Sequence, residues 1–494
     1  MSKEYLNFSK KTTQYLKENN NLQKYLFIRL LSPIREDIDF NYIKKFNIDS
    51  NIFSFLINNF FILAFNYLVI LKVTFLNLKA FWVNNKKYKS IVSSRLNQKC
   101  KVGFITHCDI FGQIQSKHDS YFGLKRNSNE YQFIILNKTS IKGKNLEKRI
   151  NELNLFNCYF IDLFGTIEIF VECLYQSFKS HLSLLLKSLY YPKHKFIFAA
   201  AIDALSFSSI TNLIIYKSVK KILNKSKITK LIMTWEGHPW ERYITKFCSS
   251  KNINIYGYIH AGPFKTQYSA HRYLGNEYKP KFLLSPTLIS QKLLKLYFSQ
   301  KSIVIGSYKS RMINKYKKLL NSKNLNSSKK SKSLLLIPSG TVKDVKNLLQ
   351  IACAIQSEEL TIRIRLHPGI QRNKNLIDHI YKNINNTNNK KKIIFSRISL
   401  NKDIQLTTHF LYTGSTASLE CLAGGLTPIH LNRENELDSL EGYNIPSKFE
   451  AYSANDVKKI LNYKISPKFT KKVISYHEKS FDYYFIKNHI KKNF

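Results

Sequence analysis

A short segment in the C-terminal part of the sequence combines glycine and hydroxyl residues in an order suited to binding a phosphate. After the apolar run at 410–412, Gly414 permits a tight turn. Ser415 and Thr416 then begin a predicted helix, where free backbone N–H groups, the helix dipole and two hydroxyls would attract an anion. Glu420, one turn further on, could accept a hydrogen bond from a ribose or sugar hydroxyl. The segment therefore predicts a phosphate-binding turn, and the alternative is an ordinary Ser/Thr helix cap.

A second segment places three cationic side chains on one face of a predicted strand. Arg363 and Arg365 alternate along the apolar run at 362–366. His367 follows on the same face, and Pro368 ends the strand. Two guanidiniums and an imidazole so arranged could neutralise a phosphate or diphosphate leaving group, and the imidazole could donate a proton to it. The alternative is a plain strand terminus.

Two further strand ends carry groups able to accept a proton. Glu236 follows the apolar run at 231–234, and the aromatic surface around Trp235 predicts a raised pKa for this carboxyl, as a general base requires. His260 ends the next apolar run and is the rival base. Glu241 falls in the first turn of the helix that follows Glu236, where we expect a partner of the helix dipole.

Two series of short apolar runs and helix-length segments must position these groups. Alternation of this kind is typical of parallel βαβ units. The predicted divisions are an N-terminal helical extension at 1–99, a first domain at 100–320 with a helical insertion at about 163–226, a polar linker at 321–332, a second domain at 333–465 and a C-terminal helix at 466–494. The predicted fold class is α/β, with two Rossmann-like domains facing a central cleft at the carboxyl ends of their strands.

An uncharged, mainly apolar stretch at 51–71 lies within the N-terminal extension. Its length would just span a bilayer. Asn58, Asn59 and Asn66 oppose spanning, because amides are costly in hydrocarbon, and the lysines on both sides give no orientation bias. Three alternatives follow: a spanning helix, a helix on the membrane surface, and a helix packed on the protein. The flanking lysines favour the membrane surface.

The charge of the chain is strongly positive, with 78 Lys and Arg against 32 Asp and Glu, which leaves +46. Nucleic acid, an anionic membrane surface and an AT-rich coding bias are the three explanations. We assign the largest share to coding bias, because Lys, Asn, Ile, Phe and Tyr are abundant together while Arg is scarce. The hydrophobic content of 44% excludes a disordered chain.

The cysteines and the N-terminus favour an intracellular setting. The seven cysteines lie far apart and form no C-x-x-C pair or His-Cys metal spacing. The first residues lack the apolar core and small-residue cleavage site of a signal peptide, so export is not expected.

The tandem α/β plan, the His-Pro pair containing His367 and the hydroxyl-rich turn after Gly414 resemble the GT-B glycosyltransferases. The resemblance is strongest to bacterial users of CMP-sugars, such as sialyltransferases and Kdo transferases. It implies that Glu236, an acid followed by glycine, is the base. It also implies that His367 meets and protonates the CMP phosphate, and that the hydroxyl pair after Gly414 holds it. Trp235 stands where the family motif has a further acid.

A second resemblance is to bacterial proteins of surface-carbohydrate biosynthesis. It rests on two segments, Asp119-Ser120-Tyr121-Phe122-Gly123-Leu124 and Glu236-Gly237-His238-Pro239-Trp240-Glu241. It covers about residues 100–440. The acceptor-side residues that it implies are Asp119, Tyr121, Gly123 and Glu241.

These resemblances imply an inverting, metal-independent glycosyltransferase that builds a surface polysaccharide or lipopolysaccharide. No cofactor or metal is expected; the co-substrate would be a nucleotide-sugar, with CMP-linked Kdo or sialic-acid-like sugars as candidates. The expected partners are a saccharide or lipid-linked acceptor and the anionic cytoplasmic face of the inner membrane, and nucleic acid is not one. The alternatives are a polyol-phosphate transferase using CDP-glycerol and a basic membrane or nucleic-acid scaffold without catalysis. The choice of base, Glu236 or His260, stays open.

Overall fold

A computed structural model of the 494-residue chain describes most residues from 14 to 489. The longer stretches outside its description are 1–13, 29–45, 84–90, 94–99, 108–117, 138–147, 163–166, 191–193, 261–271, 317–331, 371–392, 433–437 and 490–494, and some single or paired positions also lie outside it. The chain forms two compact units. The first runs to residue 260 and takes in 265–284 and 300–303, and the second contains 285–299 and 304–494. The predicted linker at 321–332 lies almost wholly outside the described residues, and the predicted boundaries stay predictions.

An eight-stranded sheet lies at the centre of the described part of the first unit. Its strands are β1 (Ile91–Ser93), β2 (Val102–His107), β3 (Tyr131–Asn137), β4 (Cys158–Asp162), β5 (Lys230–Thr234), β6 (Asn254–Tyr258), β7 (Phe282–Ser285) and β8 (Ser302–Val304). The strand order is β1-β4-β3-β2-β5-β6-β7-β8. The edge strand β1 is antiparallel to β4, and the neighbours from β4 to β7 are parallel. Every residue of β2 is buried, as expected for a parallel strand covered on both faces.

The first unit also contains α-helices. They are α1 (Ile52–Val83), α2 (Ile167–Ser188), α3 (His194–Ala204), α4 (Phe207–Lys225) and α5 (Pro239–Ser250). The helices α2, α3 and α4 occupy the stretch predicted as a helical insertion. Together with α1 they share one apolar core, in which residues such as Phe55, Phe170, Ile197 and Leu213 are almost fully buried.

One face of α1 is attached to the protein by two buried asparagines. Asn59 donates hydrogen bonds to the carbonyl oxygens of Phe46 and Phe55, at 2.8 and 2.9 Å. Asn66 donates to the carbonyl of Ile202 at 3.1 Å. The side-chain NH₂ groups of Asn59 and Asn66, two of the three asparagines that oppose membrane spanning, are therefore hydrogen-bonded within the protein, because both residues lie on the face of α1 that packs against it.

A six-stranded, all-parallel sheet lies at the centre of the described part of the second unit. Its strands are β9 (Ser333–Ile337), β10 (Thr361–Ile364), β11 (Ile393–Phe395), β12 (His409–Tyr412), β13 (Thr427–Leu431) and β14 (Glu450–Ala451), in the order β11-β10-β9-β12-β13-β14. The helices are α6 (Leu288–Phe298), α7 (Val342–Ile355), α8 (Leu400–Leu406), α9 (Ser418–Ala423), α10 (Ala454–Ile460), α11 (Pro467–Ser475) and α12 (Tyr483–His489).

Both sheets reverse their order at one point. In the first sheet β2 is flanked by β3 and β5, and in the second β9 is flanked by β10 and β12. This is the doubly wound Rossmann order, in which a crevice opens at the carboxyl ends of the two strands where the order reverses. The predicted α/β class with two parallel, Rossmann-like sheets is confirmed, and a helix precedes the first sheet as predicted.

Two glycines with nearly the same φ angle give a test of the packing in the second unit. Gly306 has φ +84°, and a Cβ there would lie 2.2 Å from the backbone carbonyl oxygen of Ser480. Gly442 has φ +85°, but its Cβ would meet only the side chains of Ile289 and Leu293, at 3.0 Å. Gly306→Ala should therefore lower the free energy of unfolding by about 2 kcal/mol more than Gly442→Ala, since backbone yields less than a side chain. Denaturation curves of the two variants measure the difference, and equal losses would contradict the packing.

Candidate functional site

Histidines surround one carboxylate at the carboxyl edge of the first sheet. Glu236 follows β5, and His260 follows the neighbouring strand β6. The Nε2 atom of His238 lies 3.1 Å from Glu236 Oε2, within hydrogen-bond distance. The Nε2 atom of His260 lies 3.6 Å from Glu236 Oε1, close enough for an ion pair. His107, the last residue of β2, adds a third positive charge near the carboxylate when protonated. The cluster thus lies where the strand order reverses.

The charge state of Glu236 differs from the prediction. Burial raises the pKa of this carboxyl, but the hydrogen bond with His238 and the charges of His260, His238 and His107 outweigh burial and leave the pKa below its usual value. The predicted rise in the pKa of Glu236 is therefore wrong. The aromatic neighbourhood suggested desolvation, whereas imidazoles from three separate chain segments decide the balance. An ionised Glu236 is a poor proton acceptor, but it can orient an imidazole and stabilise its protonated form.

Aromatic rings hold the imidazoles of this cluster. Tyr121 meets the ring of His260 edge-on, with 4.8 Å between centroids. His238 stacks on Trp240 at 5.8 Å, and His107 lies 6.1 Å from the same indole. His107 and His238 escaped the sequence analysis as functional candidates. The sequence did contain a signal for each of them. His107 is the polar end of an otherwise mainly apolar strand, and His238 stands two residues after Glu236.

Glu241 builds the loop that carries Glu236. Its Oε2 atom accepts hydrogen bonds from the backbone N–H groups of Glu236, Gly237 and His238, at 3.0, 2.7 and 2.9 Å. Glu241 lies in the first turn of α5, where a carboxylate is favoured by the helix dipole. Burial, with repulsion from Glu236, raises its pKa to about 7 against the opposing charge of His238 and these hydrogen bonds. The geometry is that of a positioning residue.

Asp119 and Gly123 build the turn that carries Tyr121. The Oδ1 atom of Asp119 accepts from the backbone N–H groups of Tyr121 and Phe122, both at 2.8 Å. Its Oδ2 atom lies 3.3 Å from the Arg126 guanidinium, and both side chains of this ion pair are fully buried. Gly123 has φ +70° and donates its N–H to the Asp119 carbonyl. Asp119 is thus placed to position Tyr121, and the acceptor-side role implied by the resemblance stays a prediction.

Trp235 is a core residue beneath the loop. Its side chain is buried, and the Arg242 guanidinium lies 5.5 Å above its ring. On the neighbouring strand a Cβ at Gly257 would lie 2.9 Å from the Cβ of Trp235, so β6 has no room for a side chain there. A large apolar ring therefore occupies the position where the family motif has an acid.

A second polar cluster lies where the strand order of the second sheet reverses. Asp344, in the first turn of α7, accepts a 2.6 Å hydrogen bond from the Thr413 hydroxyl and another from the backbone N–H of Ser339. The Asp344 N–H donates to the Thr341 hydroxyl at 3.2 Å. The loops after β9 and β12 are thereby joined. Ser339 and Thr341 were not predicted from the sequence, although a buried strand followed by Pro-Ser-Gly-Thr was a usable signal.

The hydroxyl-rich turn differs in detail from its prediction. The helix begins at Ser418 rather than at Ser415, whose carbonyl accepts hydrogen bonds from the N–H and hydroxyl of Ser418. Ser415 is buried, Thr416 is exposed, and Gly414 before them is half-buried. The expected helix start is therefore a turn, and the residue that caps the helix, Ala417, gives it no side-chain hydrogen bond. Its phosphate-binding role stays a prediction.

Glu420 lies near two cationic side chains. Burial raises the pKa of this carboxyl in α9, and the charges of Lys309 and Arg365 oppose the rise. Burial likewise lowers the pKa of Lys309, and the charge of Glu420 opposes that shift. Lys309 is a further candidate that sequence analysis did not name.

The predicted cationic strand face is partly neutralised. The strand ends at Ile364, so Arg365 lies just beyond it and donates to the carbonyl of Ile398 at 2.6 Å and to Asp403 at 3.1 Å. Arg363 lies 3.9 Å from the other oxygen of the same buried carboxylate. One negative charge therefore offsets part of the two positive charges. His367 is exposed, and Pro368 lies outside the described residues.

In the part of the chain that the structure describes, no three His, Cys, Asp or Glu side chains form a group that could hold a metal ion. Metal independence stays a prediction.

No protein-family model matches the chain, and neither does any curated protein sequence. Several solved structures are similar over most of its length. A UDP-GlcNAc 2-epimerase of Methanocaldococcus jannaschii, bound to UDP-GlcNAc and UDP, is 14% identical, with 76% of this chain and 98% of that one covered and a TM-score of 0.44. A glycosyltransferase of Rickettsia africae is 12% identical, with 80% and 100% covered and a TM-score of 0.44. Anabaena HepE with UDP and glucose is 11% identical, with 80% and 98% covered and a TM-score of 0.43.

The raised pKa of Glu241 predicts a pH-dependent stability. In the folded protein this pKa is about 7, against an ordinary 4.5, so the unfolded chain releases the proton first as the pH rises. The contribution of Glu241 to the free energy of unfolding should thus fall by about 3 kcal/mol between pH 4.5 and pH 7. Glu241→Gln keeps an oxygen acceptor for the loop but does not titrate. Urea denaturation at several pH values should show the wild type losing stability relative to this variant as the pH rises.

The exposed carboxyl of Glu152 provides the matched control, because Glu152→Gln should leave the pH dependence of the wild type unchanged. A pH-independent difference between the wild type and Glu241→Gln would show that Glu241 has an ordinary pKa.

Proposed function

We propose that this protein is an inverting glycosyltransferase of the GT-B type, which transfers a sugar from a nucleotide donor to a hydroxyl of a growing surface polysaccharide or lipopolysaccharide. The observation that carries the proposal is the position of Glu236 between His238 and His260 at the point where the first sheet reverses its strand order. A carboxylate paired with imidazole at a ligand crevice suits the deprotonation of a hydroxyl.

In this proposal His260 is the base. Glu236 stays ionised, orients the imidazole of His260 and stabilises the charge that it gains on taking the proton. The acceptor oxygen then forms a bond to the anomeric carbon, while the bond from that carbon to the donor phosphate breaks. The electron pair of that bond leaves with the nucleotide, and inversion follows from a single displacement.

The second unit would bind the departing nucleotide. Its reversal point gathers the hydroxyls of Ser339, Thr341 and Thr413 around Asp344, and the hydroxyl-rich turn follows Thr413. Neutral hydroxyls and backbone N–H groups near cationic side chains suit an anionic leaving group. Arg365 and Lys309, with His367, would supply that charge. The resemblance to CMP-sugar users makes CMP-linked Kdo or sialic-acid-like sugars the first donors to test.

The donor is tested by incubating the purified full chain with CMP-Kdo, CMP-sialic acid, UDP-sugars or CDP-glycerol, together with a lipid-linked saccharide acceptor, and measuring nucleotide release. We expect acceptor-dependent release from a sugar nucleotide. Release from CDP-glycerol alone would replace sugar transfer by polyol-phosphate transfer, and binding of polynucleotide with no nucleotide release would favour a non-catalytic scaffold.

The base is tested on the donor so found. His260→Ala should lower kcat by about 10²–10⁴-fold with little change in the KM for the donor, because the lost group acts on the acceptor. Ser415→Ala should instead raise the KM for the donor or lower kcat through the leaving group. Thermal denaturation of both variants checks that they fold. Full activity of His260→Ala would contradict the assignment of the base.

A further inference from the structure

The helix α1 exposes an apolar face opposite Asn59 and Asn66. Within the described residues Ile52–Phe75 is long and apolar enough to cross a membrane, and only 22% of its most apolar window is buried in the protein. Seven of its apolar side chains are between 64% and 71% exposed: Phe53, Phe60, Phe61, Phe65, Leu68, Leu71 and Phe75. Soluble surfaces seldom leave so many large rings in water, so this face requires a partner.

The helix α2 carries a second exposed apolar stripe. Its members are Val171, Tyr175, Phe178, Leu182 and Leu186. They recur at intervals of three or four residues and therefore share one face, while Cys173, Ser177 and Leu184 on the opposite face are fully buried. The helices α1 and α2 contact each other and share one core. Two neighbouring helices of the same unit thus present apolar faces to solvent.

A lysine-rich cavity adjoins the stripe on α2, and two of its lysines pair with glutamates of that helix, Lys217 with Glu172 and Lys221 with Glu168. This cavity of about 800 Å³ is lined by Lys24, Lys217, Lys220, Lys221 and Lys246, and by two carboxylates, Glu168 and Glu172. Five lysines against two glutamates leave three net positive charges there. The cavity adjoins the stripe, because Glu172 and Gln176, which line it, directly follow Val171 and Tyr175 on the helix.

We propose that the first unit docks on an anionic phospholipid bilayer through the exposed faces of α1 and α2, with the cavity lysines next to lipid phosphates. An apolar face with a lysine-rich border is the pattern of helices that lie at a membrane interface. The asparagines hold α1 against the protein, so the helix lies along the membrane surface. A second copy of the chain is the poorer occupant, because a symmetric pairing would bring two lysine borders together, whereas a bilayer supplies the opposite charge. This docking stands independently of the proposed sugar transfer.

Vesicle flotation of the full chain tests the proposal, with phosphatidylcholine vesicles compared with vesicles containing about 30% phosphatidylglycerol. The test variant carries Tyr175→Ser, Leu182→Ser and Leu186→Ser. Its matched control carries Leu296→Ser, Tyr452→Ser and Tyr484→Ser, whose side chains in the second unit are between 63% and 72% exposed. We expect tight, salt-sensitive binding of the wild type and control to the anionic vesicles. Binding of the test variant should be weaker by about 100-fold or more, since each apolar side chain contributes about tenfold.

The charge is tested separately with Lys220→Gln combined with Lys246→Gln, which should weaken binding to anionic vesicles and reduce its salt dependence. Equal vesicle binding by the test variant and the control would overturn the proposal. So would a wild-type dimer in light scattering that fails to bind vesicles and that the test variant dissociates, because a second copy would then cover the face. Circular dichroism of each variant verifies the fold.

Discussion

Strand order is the constraint on which the rest of this structure depends. In the first sheet β2 lies between β3 and β5, and in the second sheet β9 lies between β10 and β12. The loops after the two neighbouring central strands therefore diverge. Side chains distant in sequence then meet at one edge. Residues after β2, β5 and β6 come together in this way in the first unit, and residues after β9 and β12 in the second. The chemistry available to the protein is set by what those loops carry.

In the first unit those loops carry two carboxylates, five residues apart, whose pKa values are shifted in opposite directions. Imidazoles lower the pKa of Glu236, whereas burial raises that of Glu241. The first can remain charged beside a reacting imidazole, and the second holds three backbone N–H groups of the loop. Opposite shifts in neighbouring carboxyls often mark a division of roles in an active site. Here Glu236 stabilises the charge of the reacting imidazole, and Glu241 positions the loop that carries Glu236.

The sequence predicted the strands better than the contacts between their ends. Short buried runs such as β2 and β9 were recognisable, because both faces of a central parallel strand are apolar. The charge state of Glu236 was not predictable, since it depends on His260 and His107 from other strands. The helix start at Ser418 was also missed, because an earlier serine fits a cap equally well.

The orientation of α1 was predictable only in part. Composition showed that the stretch is apolar, and Asn59 and Asn66 showed that it is not uniformly so. Which face packs on the protein depends on carbonyl groups at Phe46 and Ile202, which no local pattern indicates. The same limit applied to the lysine-lined cavity, which joins five separate segments of the chain.

The pH dependence of kcat for Glu236→Gln and the wild type tests the central claim, the pairing of an ionised Glu236 with His260 as base. Loss of the negative charge makes the imidazole easier to deprotonate, so the acid limb of the profile should move to lower pH while kcat falls by about 10²-fold. Glu152→Gln, which removes an exposed carboxylate, should reproduce the wild-type profile. An unchanged acid limb in Glu236→Gln would show that this carboxylate does not act through the histidine.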